Sequence, residues 1–393
     1  MELLTKMRPY AEKAIQWRRD IHAHPETGFD LPRTSALVAS QLESFGLEVH
    51  SGFVPGAVMG ILKTGRPGAT VAVRADMDAL GIQDEKTVDY RSQNDGKCHA
   101  CGHDAHTAVM LALANYCADH RDELCGTVKF VFQPAEEGPA PGGAKLICDS
   151  GMLEDVDYMI GAHAQPLYRA GQVGMRHDEA FASGDFFEIT LTGTASHAAS
   201  PHLGKDVITT AAEIIQALQT IRSRELPPLR PGVVSVTSVN AGMLAVKNAL
   251  PQTLTFGGTY RTYDPELREL MSRRIREISE EISKLHQCAC EVKIQEMFPP
   301  LTNNNEVIDV VHEAAVEQLG EENVFWKPLP EMGSEDFAYY THKTKAGFFF
   351  FGVRNEEKEC TYSLHNPKFN LDEDTFAPTL AVFAASLSRL LRK

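Results

Sequence analysis

The order of strands and helices changes twice along this chain, and that double change most constrains the fold. Up to about residue 183, short apolar runs alternate with stretches of helical spacing. Leu3–His22 carries apolar residues at helical intervals until Pro25 stops it, and Thr34–Phe45 repeats the pattern. Val71–Arg74, Val128–Phe132 and Tyr158–Ala162 read as buried strands, separated by an Ala- and Leu-rich helix at Thr107–Tyr116 and another at Gly143–Cys148. Alternation of this kind builds an α/β sheet flanked by helices. At Gly184 the pattern switches: Phe187, Ile189 and Leu191 alternate with polar residues, as on a half-exposed strand. A helix at Asp206–Arg224, strands at Val233–Val239 and Thr253–Arg261, a charged helix at Pro265–His286 and a strand at Cys290–Glu296 follow. That β-α-β-β-α-β order is ferredoxin-like. Pro299-Pro300 closes it, and the apolar strand Gly347–Gly352 returns to the first pattern. The expectation is a discontinuous α/β domain, residues 1–183 and 299–393, interrupted by an inserted α+β domain at 184–298. A length of 393 residues agrees, since one core rarely serves so many.

The net charge of −15, from 53 acidic and 38 basic residues, argues against nucleic acid or an anionic membrane as the partner. The segment Met1–Arg8 has mixed charges and reads as the start of an amphipathic helix, not as a signal peptide. No apolar run approaches the length needed to span a bilayer. Eight irregularly spaced cysteines suit reduced thiols, hence a cytoplasmic location.

Chemistry concentrates at Cys98-His99-Ala-Cys101-Gly-His103-Asp104-Ala-His106, just before a helix. Thiolate and imidazole together suit zinc and its neighbours. A structural zinc site needs a second close pair, which Cys288-Ala-Cys290 supplies poorly, and haem attachment fails because Gly102 follows Cys101. Glu136 and Glu137 follow one apolar strand directly, and His163 ends another. In α/β sheets the carboxyl ends of strands form the ligand crevice. His365 follows the phenylalanine-rich strand. Each of these residues alone also fits a solvated loop or a structural role.

Ordered motifs over nearly the whole chain carry a resemblance. They are Arg18-Arg19-Asp-Ile-His22, Arg74-Ala-Asp76-Met-Asp78, Cys101-Gly-His103-Asp104, Pro134-Ala-Glu136-Glu137-Gly138, the segment around His163, Ser196-His197, Met332-Gly333-Ser-Glu-Asp336 and Leu364-His365. The chain resembles the amidohydrolase branch of the aminoacylase and carboxypeptidase-like zinc peptidases, the hippurate and auxin-conjugate hydrolase group. The resemblance implies two divalent metal ions bridged by the Cys101 thiolate, with His103 and Glu137 on one and His163 and His365 on the other. Zinc is the first expectation, with manganese, cobalt or nickel as alternatives. Asp78 would stand behind a ligand, or else act as a cap or surface acid. His99, Asp104 and His106 are read as structural.

The implied reaction is hydrolysis of the amide bond of small N-acyl amino acids, hippurate-like or acetylated, to a carboxylate and a free amino acid. Glu136 would be the general base. His197 would donate to the oxyanion, from its own subunit or from the partner of a homodimer or higher homo-oligomer, or else cap the helix near Asp206. Asn248, Arg261 and Gly333 match family positions near the substrate; Arg261 could clamp a carboxylate or serve as a strand-end ion-pair partner. The inserted domain would be a lid and dimerisation module. The alternatives are a dipeptidase or aminopeptidase, an N-acetyl-diaminopimelate deacetylase, or an enzyme with Cys101 as thiol nucleophile. Ala162, Ala164 and Gln165 depart from the family's bulkier residues, and Cys98, where methionine is usual, puts a second thiol near the bridge, able to form an inactivating Cys98–Cys101 disulfide on oxidation.

Overall fold

A computed structural model describes residues 2–393, so Met1 lies outside it and the N-terminal helix is seen from Glu2. The chain divides into two compact units. One comprises Met1–Ala180, Thr302–Leu329 and Asp336–Lys393; the other comprises Phe181–Leu301 and Pro330–Glu335. Residues 330–335, which the periodicity assigned to the first domain, pack in the second unit.

The elements run α1 Glu2–Ala23, α2 Pro32–Ser44, β1 Glu48–Ser51, β2 Val58–Lys63, β3 Thr70–Asp76, α3 His103–Asp119, β4 Thr127–Gln133, α4 Gly143–Asp149, β5 Tyr158–Arg169, β6 Val173–Met175 and β7 Asp178–Phe181. Next come β8 Gly184–Thr192, β9 Ser196–His197, α5 Val207–Thr220, β10 Gly232–Ala241, β11 Ala249–Leu250, β12 Thr253–Thr262, α6 Pro265–Leu285 and β13 Ala289–Phe298. The chain closes with β14 Leu301–Asn303, α7 Asn305–Leu319, β15 Val324–Trp326, α8 Ala338–Thr341, β16 Lys345–Arg354 and α9 Phe376–Leu390.

The first unit is built on an eight-stranded sheet of order β1-β2-β4-β3-β5-β16-β6-β15. Its centre is parallel: β4, β3, β5 and β16 run the same way. The four phenylalanines of β16 show that both faces are covered. Phe348 packs on Phe337, whereas its neighbour Phe349 packs on Phe383 of α9. Helix α3 is buried on every side from His103 to Cys117, as an apolar central helix should be. The second unit has a four-stranded antiparallel sheet, β10-β12-β8-β13, over which α5 and α6 bury Ile214, Leu218, Met271 and Ile275. The α/β fold class read from the periodicity is therefore correct. No helix among the described residues is long and apolar enough to cross a membrane.

Helices α1 and α3 are joined by a buried ionic cluster. Arg18 Nε donates to Asp104 Oδ2 at 2.8 Å, and His22 Nδ1 lies 2.7 Å from the same oxygen, with Arg18 and Asp104 fully buried. Burial opposes ionisation of Asp104, yet Arg18 and His22 hold it well below the usual carboxylate range. Removing one partner from such a buried set is costly, so Asp104→Asn should lose about 3–5 kcal/mol of stability, read as a fall in the urea midpoint. Because the folded pKa is depressed, the charge contributes fully above the unfolded value near about 4. That contribution is lost as pH falls from there through the folded value, so the gap between wild type and Asp104→Asn should narrow in acid.

Candidate metal centre

The parallel core dictates where the chemistry gathers. The register sets Asp76 of β3 opposite Gln133 of β4, and Arg74 opposite Gly161 of β5, so the carboxyl ends of the three strands lie together. Asp78 leaves β3 there, Glu136 and Glu137 leave β4, and His163 lies further along β5.

Into this end comes the start of α3. Gly102, at φ +90°, turns the chain into the helix, and a Cβ there would stand 3.2 Å from Ala164 Cβ. The turn sets Cys101 before the helix and His103 in its first turn. The sequence pattern started this helix at Thr107; the structure starts it at His103, so the His/Asp cluster is the first helical turn and not a preceding loop.

Donor atoms of Cys101, His103 and His163 lie within 4.8 Å of one another, as do those of Cys101, Glu137 and His365 and those of His103, Glu136 and Glu137. Cys101 Sγ is 3.4 Å from His163 Nε2, and His365 Nε2 is 3.2 Å from Glu137 Oε1. Two of these sets share Cys101, one with His103 and His163 and one with Glu137 and His365, while the third brings His103 beside Glu137, the pair implied by resemblance. The α3 start lies against the end of β5, and His365 arrives beside the β4 loop. His365 holds a left-handed backbone, φ +62°, pinned by its amide on the Ala100 carbonyl at 2.8 Å. Strain of that sort, on the order of 1–3 kcal/mol, persists only where surroundings enforce it.

Asp78 is neither a surface acid nor a helix cap. Buried, it accepts the amides of Glu136 at 3.0 Å and Glu137 at 3.1 Å and lies 3.5 Å from His103 Nδ1. One carboxylate thus fixes the two-glutamate loop and stands beside an imidazole. Glu136 Oε2 is 3.9 Å from His103 Nε2 with its side chain nearly buried.

These residues fit metal ions. Both ring nitrogens of His103 are buried without a hydrogen-bond partner, and thiol, imidazole and carboxylate together form a borderline-soft donor set. Burial, with Glu137 and Glu136 nearby, drives the Cys101 thiol well above its usual pKa. Burial alone would lower His103, but Asp76 and Asp78 push it up to about 10. Concentrated negative charge of this kind calls for cations.

Behind the centre, Arg74 donates to Asp76, Gln133 and Asp336, and Tyr340 donates to Gln133 Oε1 at 3.0 Å. The motif reading quoted Arg74 and Asp336 but gave neither a role; the signal was a charged residue inside an apolar strand. A further donor set, His22, Asp84 and Cys98, also converges. Lys86 Nζ lies 3.1 Å from Asp84 Oδ1 and 3.2 Å from Cys98 Sγ, so an ammonium already supplies the positive charge. Cys98 and Cys101 are both free thiols.

The second unit carries the remaining candidates in two places. His197 pairs with Ala249 across β9 and β11, and the Ala198 amide donates to the Asn248 carbonyl at 2.9 Å, which brings His197 and Asn248 together. The Ala199 amide donates to His197 Nδ1 at 3.0 Å, leaving the proton on Nε2 of an exposed ring. Helix α5 is capped by Asp206 itself, which accepts from Ile208 and Thr209, so His197 is not the cap. Arg261 donates to the Met332 carbonyl at 3.2 Å, beside Gly333, and no carboxylate among the described residues pairs with it.

Comparison with known proteins places this geometry. The pattern of peptidase family M20/M25/M40 matches residues 72–389. The chain is 36% identical to thermostable carboxypeptidase 2 of Saccharolobus solfataricus over 95% of both chains. It is 35% identical to an IAA-amino acid hydrolase of Arabidopsis thaliana over 99% of this chain and 88% of that one. A solved structure of a dinuclear metal-binding M20 peptidase from Bacillus subtilis superposes with a TM-score of 0.83, at 31% identity over 98% of this chain and 99% of that one. The resemblance read from the motifs is borne out: this chain belongs to peptidase family M20/M25/M40.

Proposed function

We propose that this metal-dependent amidohydrolase cleaves the amide of N-acyl amino acids, releasing a carboxylate and a free amino acid. The observation that carries the reading is the convergence of Cys101, His103, Glu137, His163 and His365 beside Glu136. Cys101 would be shared, with His103 and His163 on one ion and Glu137 and His365 on the other; zinc is the ion first expected from the donors. Bound ions would lower the pKa of water and polarise the scissile carbonyl. Glu136 would accept the proton of the attacking water and return it to the leaving amine. His197 Nε2–H would donate to the oxyanion, so His197→Ala should lower kcat by about 10²–10³-fold. Steady-state kinetics check this; an unchanged kcat would remove His197 from the reaction.

Arg261 would clamp the free carboxylate of the amino-acid half. A peptide's C-terminal bond presents the same group, an amide whose amine side bears a free carboxylate, so a carboxypeptidase among the relatives fits one site chemistry. The hydrolase of an amino-acid conjugate among them fits it equally. A homodimer through the second unit belongs to the same reading. It is supported by β10 at the edge of its sheet and by exposed Val239, Met243 and Leu244. So does a cytoplasmic location, with all eight cysteines free.

Acetyl-, benzoyl- and indoleacetyl-amino acids and simple dipeptides, offered to protein before and after exhaustive chelation, test the reading. Hydrolysis of the acylated substrates should vanish on chelation and return with added divalent ion. Activity that survives chelation but dies on thiol alkylation would instead make Cys101 a nucleophile.

A further inference from the structure

A continuous line of hydrogen bonds runs from β3 to the metal centre. His106 Nδ1 lies 2.5 Å from Asp76 Oδ1. The Ala164 amide donates to His106 Nε2 at 3.0 Å. His163 Nδ1 lies 2.8 Å from the Ala164 carbonyl, and His163 Nε2 lies 3.4 Å from Cys101 Sγ. Two of these partners cannot change roles: an amide N–H only donates and a carbonyl only accepts. His106 therefore keeps its lone pair on Nε2 and its proton on Nδ1, facing Asp76. His163 keeps its proton on Nδ1 and its lone pair on Nε2, facing the centre. Asp76 in turn accepts from Arg74 Nη1 at 2.7 Å.

The topology explains why a side chain is needed here. The pairing of β3 with β5 ends at Arg74 and Gly161, so three residues further along β5 the strand partner on that side has gone, while β16 still pairs on the other. His106, one turn into α3, supplies the acceptor that β3 no longer offers. Its ring also packs edge-on against the His163 ring, with centroids 4.7 Å apart. His106 thus constrains His163 twice, through the Ala164 backbone and through the ring.

We propose that His106 is a positioning residue of the metal centre: by anchoring the Ala164 backbone, whose carbonyl receives the His163 proton, it fixes the tautomer and direction of His163. The proposal rests on His163 being a ligand, as argued above. A buried histidine that merely filled space would leave the His163 tautomer and metal affinity indifferent to its acceptor atom.

The test uses the full chain labelled with 15N in histidine and alanine, stripped of metal. Wild-type His163 and His106 should each show a single Nδ1–H tautomer, with through-hydrogen-bond coupling between the Ala164 amide and His106 Nε2. In His106→Leu the His163 tautomers should mix, and titration with Zn²⁺ should show one of the two ions bound about 10–100-fold more weakly. His106→Gln, which retains an acceptor for the amide, should recover most of that affinity and the single tautomer. Mixed tautomers or absent coupling in wild type would overturn the proposal whether or not the leucine variant folds. So would a folded leucine variant holding both ions at wild-type affinity, or a folded glutamine variant as weak as the leucine one. Wild type that binds no Zn²⁺ would defeat the dinuclear reading instead, a result separate from the coupling seen without metal.

Discussion

Glu136→Gln should lower kcat by about 10²–10⁴-fold, the usual contribution of a positioned general base, with metal content unchanged and KM little altered. Its amide is gripped by Asp78, and its carboxylate is nearly buried 3.9 Å from His103 Nε2. Glutamine has the same shape and makes the same backbone contact, so the fold and the neighbouring Glu137, proposed as a ligand, should stay in place. What disappears is the capacity to take a proton. The acid limb of the kcat/KM profile should disappear with it, since that limb reports protonation of the base. Full kinetics across pH, with metal analysis of the same preparation, decide the matter. A variant within a few-fold of wild type would show Glu136 to be a loop carboxylate and leave the proton transfer without a carrier.

How far the sequence could be read depended on how local each signal was. The parallel core was legible because Val71–Arg74, Val128–Phe132 and Tyr158–Ala162 are short, mostly apolar runs, and such runs have few other uses. Strands β1 and β2 escaped. Glu48–Ser51 is half exposed without clear alternation, and Gly60 interrupts β2 because a Cβ there would meet Leu42 at 3.0 Å. The start of α3 was misplaced because histidine and aspartate, poor helix formers, occupy its first turn for the sake of the site.

At the centre, Cys101 and His103 announced themselves by proximity in sequence. His163 and His365 were isolated histidines that spacing alone could not join. Motif order joined them. The support layer was invisible for a similar reason. Arg74 and Asp336 are 262 residues apart, and His106 touches Ala164 across 58 positions, so no periodicity links either pair. Their only local sign was a charged or polar residue where an apolar one would pack as well.

Cys101 is the position whose loss should cost most, because two donor sets at the centre share it. His163→Ala or His365→Ala removes one donor from one set. Cys101→Ala removes a donor from both, and should lose hydrolysis as completely as exhaustive chelation, with metal content falling from two ions per chain to fewer than one. The electrostatics favour the same outcome: a buried thiol beside Glu136 and Glu137 resists ionisation unless cations share the site. Cys101→Asp separates charge from softness. An aspartate supplies a carboxylate able to bridge, so it should recover metal binding while moving preference from zinc toward manganese, whose ligands are oxygens. The Co²⁺-substituted protein adds an independent readout, because its thiolate charge-transfer band should be present in wild type and absent from both variants. Retention of two ions by Cys101→Ala would show that the thiol is not shared, and the bridged centre would have to be abandoned in favour of two separate sites.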